Sequence, residues 1–140
     1  MQTGQSVIGS LKKSGFRMTN IRRELVGIFS NSKVPLSAPQ LRIMLEEQGI
    51  TANKTTIYRE IYFLLEQKII MEIELGEGKK RYEMADRDHH HHLVCMKCFS
   101  IEDVELEADL HEEEGRIERL KKFKITNHAL EFFGFCAGCQ

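Results

Sequence analysis

The sequence predicts an α+β chain in two parts, an N-terminal winged helix-turn-helix followed by a small α/β domain built around a four-cysteine metal site. Three observations carry this. Residues 1–82 hold 13 Lys+Arg against 8 Asp+Glu, a charge of +5, whereas residues 83–140 hold 7 against 13, a charge of −6. Apolar spacing is helical through the first part and then changes to a period of two. All four Cys and all six His fall in the second part. At 140 residues the chain suits one domain or two small ones. The shift in charge places the division near Ala85 to Asp88, giving domains 1–85 and 86–140.

The overall charge of −1, taken alone, argues against a nucleic-acid partner, but it averages two unlike halves. With 41% hydrophobic and 29% charged residues, no 18-residue apolar run and no signal-like segment, the expectation is a cytoplasmic protein without a membrane partner.

Val7, Ile8 and Leu11 form the stripe of a first helix, and Ile21, Leu25, Ile28 and Phe29 that of a second, with Thr19 or Asn20 as its cap. Ser37-Ala38-Pro39-Gln40 fits a capping box ahead of Leu41, Met44 and Leu45, and Gly49 ends that third helix. A fourth starts near Asn53 or Lys54, burying Ile57, Ile61, Leu64 and Leu65 and showing Lys54, Thr55, Thr56, Tyr58 and Arg59 outward. Strand-like runs at 69–75 and 80–84 flank Gly76-Glu77-Gly78-Lys79, a hairpin-type linker. In a winged helix the fourth helix is the natural major-groove reader, with Arg17, Arg22, Arg23 and the wing-tip Lys79, Lys80 and Arg81 as phosphate contacts. A protein-binding winged helix, or a plain helical domain with a solvated basic face, is the alternative.

Cys95-x-x-Cys98 and Cys136-x-x-Cys139, separated by 37 residues, supply the four thiolates of a closed tetrahedral zinc site, which stabilises rather than catalyses. A redox pair or two disulfides is the other reading of these cysteines. His89-His90-His91-His92 runs directly into the apolar Leu93-Val94. If the histidines continue a strand, alternation sends His89 and His91 to one face and His90 and His92 to the other, so one tract serves two metal sites. Glu83, Glu102 or Asp103, His111 on a helix expected between 107 and 123, and His128 are further ligands in principle. Imidazole with carboxylate suits several divalent metals. Glu112-Glu113-Glu114 reads as an exposed helix face, and Leu130, Phe132, Phe133 and Phe135 as core or subunit interface. No nucleophile motif, phosphate loop or H-E-x-x-H accompanies the ligands, so no enzyme is expected.

Together Arg17-Met18-Thr19-x-x-Arg22, Ser37-Ala38, Thr56-Ile57-Tyr58-Arg59, Tyr82-Glu83, the histidine run with Cys95-x-x-Cys98, and Ile125-Thr126-Asn127-His128 through Cys136-x-x-Cys139 resemble the ferric uptake regulator family, in order over nearly the whole chain. The resemblance implies a homodimeric, metal-responsive repressor that binds palindromic double-stranded promoter DNA. By position it assigns Cys95, Cys98, Cys136 and Cys139 to structural Zn2+, and Glu83, His90, His92 and Asp103 to a sensor site for a second divalent ion, Fe2+, Mn2+ or Zn2+. His89, His91, His128 and His111 go to a second site, and Arg17, Arg22, Lys54, Thr55, Thr56, Tyr58 and Arg59 to the DNA-binding set. Two departures stand out: Pro35 occupies a position where family sensors usually carry a His ligand, and Phe99 replaces the Gly common after the second Cys. Sensing of peroxide or another metal, or constitutive DNA binding with a weakened sensor site, are the alternatives within the family.

Overall fold

The computed structural model describes residues 2–76, 78–108 and 110–140. The chain divides into two compact units, Met1–Asp88 and His89–Gln140. In the first, α1 (Gly4–Lys13), α2 (Asn20–Asn31), β1 (Leu36–Ser37), α3 (Ala38–Glu47) and α4 (Lys54–Glu66) precede the hairpin β2 (Ile70–Glu74) and β3 (Lys80–Met84).

Each of these four helices begins on a side-chain cap. Thr3, Thr19, Ser37 and Asn53 accept from the backbone N–H three residues on, and Ser37 with Gln40 completes a capping box with Pro39 in the first turn. The apolar stripes then meet in one core, in which Leu25, Val26, Leu41, Leu45, Ile61 and Leu64 are almost wholly excluded from water. Burying each such side chain is worth about 1.5–3 kcal/mol relative to leaving it exposed.

Strands order β1-β3-β2, all antiparallel, with Leu36 opposite Tyr82 and Ser37 opposite Arg81. Two residues are too short to give a periodic signal, so the sequence reading has no counterpart for β1. Gly76 and Gly78 of the hairpin linker have φ of 74° and 68°, the region where a Cβ is disfavoured. Glu77, between them, lies outside the described residues.

The second unit is a three-stranded sheet, order β5-β4-β6, of β4 (His91–Cys95), β5 (Ile101–Val104) and β6 (Glu131–Gly134), with α5 (His111–Lys121) between β5 and β6 in the chain. β4 pairs antiparallel with β5 and parallel with β6. The parallel pair needs a long return connection, and residues 96–130, which carry β5 and α5, supply it. Only His91, His92, Val94 and Cys95 are buried among the described residues of this unit, and α5 buries none. Leu93, Phe132, Phe133 and Phe135 remain substantially exposed in the single chain.

Candidate metal centres and DNA-reading face

The exposed face of α4 carries Lys54, Thr55 and Arg59, with Tyr58 half-buried and the Lys54 ammonium 5.8 Å from its ring centre. Asn53 Oδ1 accepts from the Thr56 N–H at 2.8 Å, which fixes the first turn. Arg17 is exposed. Arg22 is not: its Nε and Nη2 donate to Glu60 Oε2 and Oε1 at 2.8 and 3.2 Å, its Nη1 donates to the Arg17 carbonyl at 2.8 Å, and its guanidinium lies 3.6 Å from the Phe63 ring centre. Three of its five N–H donors are thus engaged within the fold, which gives Arg22 a role in fixing α4 and the Arg17 turn. Arg81 is likewise drawn in, donating to Gln40 Oε1 at 2.9 Å rather than standing at the wing tip.

Cys95, Cys98, Cys136 and Cys139 present sulfurs that all lie within 4.8 Å of one another. Cys98 and Cys136 are 3.8 Å apart, and a tetrahedral zinc with Zn–S of about 2.3 Å has S···S edges of about 3.8 Å. Within the cluster the Cys95 thiol is pulled down to about 6, chiefly by the Cys136 backbone N–H and then by that of Cys98. Cys139 is pushed up to about 12, first by its hydrogen bond with Cys136. Four sulfurs this close suit tetrahedral coordination of one cation, and the donor set fits zinc. Phe99 adopts φ 59°, which explains why glycine suits that position and costs a side chain roughly 1–2 kcal/mol.

The histidine run alternates as the strand period predicts. His89 and His91 stand with ring centres 4.9 Å apart, and His128 joins them at 4.9 and 5.5 Å. Ring nitrogens of these three lie within 4.8 Å of one another. His128 Nδ1 is 2.5 Å from Glu114 Oε1, and His91 Nδ1 is 3.0 Å from the Leu130 carbonyl. His128 Nε2 is buried without a partner. A buried imidazole nitrogen with an unused lone pair beside two other imidazoles fits a bound cation.

His111 is not brought into this group. It is largely exposed, and its Nδ1 sits 3.2 Å from Glu114 Oε2. Glu114 therefore bridges His111 and His128, and its carboxyl is held below the usual range, first by the hydrogen bond from His128. The acidic triplet is thus only partly a solvated face, since Glu114 turns back to His128.

On the opposite face, His90 Nε2 and His92 Nε2 approach to 3.2 Å, with Asp103 Oδ1 at 3.9 and 3.8 Å from them. Asp103 is the residue across from His92 in the β4–β5 pair, which is why the two share a face. Glu131, across from His92 in the β4–β6 pair, sets Oε2 3.0 Å from His92 Nδ1 and accepts the His92 backbone N–H at 3.1 Å. The sequence reading passed over Glu131, although a single carboxylate inside the apolar run 130–135 was a signal. Glu83, in the first unit, is buried on β3 and accepts from Arg87 at 2.7 Å. Pro35, which stands where family sensors usually carry a His ligand, is packed among the least accessible side chains of the first unit.

Among known proteins, the model of the ferric uptake regulator family matches residues 13–133. The chain is 35% identical over 134 residues to the ferric uptake regulation protein of Bacillus subtilis, covering 93% of this chain and 89% of that protein. It is 30% identical to the protein of the same name from Neisseria meningitidis serogroup C, covering 96% and 94%. Its fold is similar to the solved structure of the Helicobacter pylori ferric uptake regulator Fur, described as having three functional metal binding sites: TM-score 0.78, 27% identity, 99% of this chain and 94% of the other.

Proposed function

Because the chain belongs to the ferric uptake regulator family, we propose that it is a metal-responsive transcriptional repressor that binds palindromic promoter DNA as a homodimer. The α4 face reads the major groove through Tyr58, Arg59 and the Lys54–Thr56 turn, while Arg17 anchors to the backbone. The +5 charge of residues 1–82 supports sequence-independent attraction to phosphate. The exposed apolar residues of the second unit, Leu93, Phe132, Phe133 and Phe135 among them, support a second copy as their cover. The family regulates transcription, and no enzymatic activity is assigned to this chain.

The observation that carries the reading is the division of four consecutive histidines between two donor sets, beside a four-thiol cluster in the same unit. We assign Cys95, Cys98, Cys136 and Cys139 to structural zinc. His90, His92 and Asp103 form the core of the regulatory set, to which the resemblance adds Glu83. His89, His91 and His128 form the second set. A divalent cation supplies at each histidine set the positive charge that lets imidazoles and carboxylates crowd together. The chain's own groups do the rest: Glu131, Glu114 and the Leu130 carbonyl hold the outer ring nitrogens, and Asp103 offers the anionic oxygen. Regulation further requires that the sites bind metal more tightly in the DNA-competent form than in the other, since equal affinity shifts nothing.

The test is DNA binding by the zinc-loaded chain at one fixed moderate salt concentration, with and without added Fe(II) or Mn(II), on a palindromic AT-rich operator and on random DNA. Metal-dependent preference for the operator is the expected result. Equal affinity for both DNAs in every metal state would sink the reading.

A further inference from the structure

Glu131, His92 and Asp103 form one rung across the sheet, on neighbouring strands β6, β4 and β5. A carboxylate thus stands on each side of one imidazole. Asp103 lies on the Nε2 side, with His90; Glu131 lies on the Nδ1 side, where its Oε2 also takes the His92 backbone N–H. A carboxylate that only accepts, 3.0 Å from Nδ1, favours the ring proton there over Nε2, where Asp103 is 3.8 Å away, and so leaves the Nε2 lone pair toward His90 and Asp103. The His92 side chain is 4% exposed, so water cannot readily substitute for Glu131.

We infer that Glu131 is the positioning residue of the regulatory metal set: it holds His92 in the tautomer and ring orientation that present Nε2 to a divalent cation, without itself being a ligand. The inference rests on the reading of His90, His92 and Asp103 as that set. It explains a carboxylate that burial alone would disfavour, since Glu131 is the one charged residue between 130 and 135. Outer-shell acceptors on metal-binding imidazoles fix the tautomer and raise ligand basicity, and their loss weakens metal binding about 10- to 100-fold. The neighbouring His91 obtains the same service from the Leu130 main-chain carbonyl, which no side-chain substitution removes. Glu131 is therefore the point at which the regulatory set alone can be loosened.

The experiment compares the zinc-loaded full-length chain with its Glu131→Ala, Glu131→Gln and His92→Ala forms. Histidine nitrogen NMR without added Mn(II) reads the His92 tautomer, and chelator competition reads Mn(II) affinity. In the parent protein the His92 proton should be on Nδ1. Glu131→Ala should release it toward Nε2 and weaken Mn(II) binding about 10- to 100-fold while the zinc stays bound. Glu131→Gln, whose amide oxygen still accepts, should keep the tautomer and lose less affinity. A His92 proton on Nε2 in the parent overturns the inference, as does unchanged Mn(II) affinity in Glu131→Ala when His92→Ala has lost it. A merely structural Glu131 would lower the melting temperature and leave tautomer and affinity alone. Undiminished Mn(II) binding by His92→Ala would instead remove the metal-set reading on which the inference stands. Should Glu131→Ala fail to fold, the parent tautomer and Glu131→Gln decide.

Discussion

Arg22 grips Glu60 with two hydrogen bonds, 2.8 Å from Nε to Oε2 and 3.2 Å from Nη2 to Oε1, and so ties the start of α2 to the buried side of α4. Both side chains are largely withdrawn from water. Removing one member leaves the other buried and uncompensated, so Arg22→Ala should cost about 3 kcal/mol of stability in denaturant unfolding. Arg59, on the exposed face of the same helix, should behave oppositely. Arg59→Ala should leave the unfolding midpoint in place while weakening operator binding by about 1–3 kcal/mol, with a shallower salt dependence if the contact is to phosphate. Fluorescence anisotropy titrations at several salt concentrations separate the two. Equal stability loss in both variants would contradict this division.

Cys139→Ser should release the zinc and expose the second unit to unfolding. That unit buries few side chains on its own, so the thiolate cluster and a second copy must supply most of its order. Metal analysis with circular dichroism checks it; a dimer that stays folded without zinc would exclude a structural role for the cluster.

The two histidine sets should titrate as separate sites. His90→Ala with His92→Ala should remove one equivalent of non-zinc metal and metal-dependent DNA affinity, and His91→Ala with His128→Ala should remove the other equivalent. Competition with a chromophoric chelator counts them. Loss of both equivalents in either double variant would mean a single shared centre.

Installing the missing imidazole should do harm. Pro35 is packed in the first-unit core, so Pro35→His buries a polar ring without partners, at a cost of about 1–3 kcal/mol. Thermal melting should show the loss, with no gain in Mn(II) affinity.

Much of this was legible in the chain itself. Helix caps at Thr19, Ser37 and Asn53 act through hydrogen bonds three residues long, so local sequence specifies them. The alternation of the histidine run needs only the strand period. What sequence could not supply were partners fixed by strand pairing and by residues distant along the chain. The fate of Arg22 depends on Glu60, 38 residues on, and that of His92 on Glu131, 39 residues on. His111 and Glu114 differ by less than one helical turn, and only the packing of α5 decides which of them turns toward His128.

Four consecutive histidines feed two donor sets from one stretch of backbone, and Leu130 and Glu131, adjacent residues where β6 begins, hold adjacent rings of β4 from behind. The tract therefore has a phase as well as a composition. Inserting or deleting one residue immediately before Leu93 would keep nearly all the imidazoles yet transpose them, turning toward Asp103 the rings that now meet His128. Because all four places carry the same ring, such a slip refills three of them, so the repeat buffers both donor sets against a shift in register.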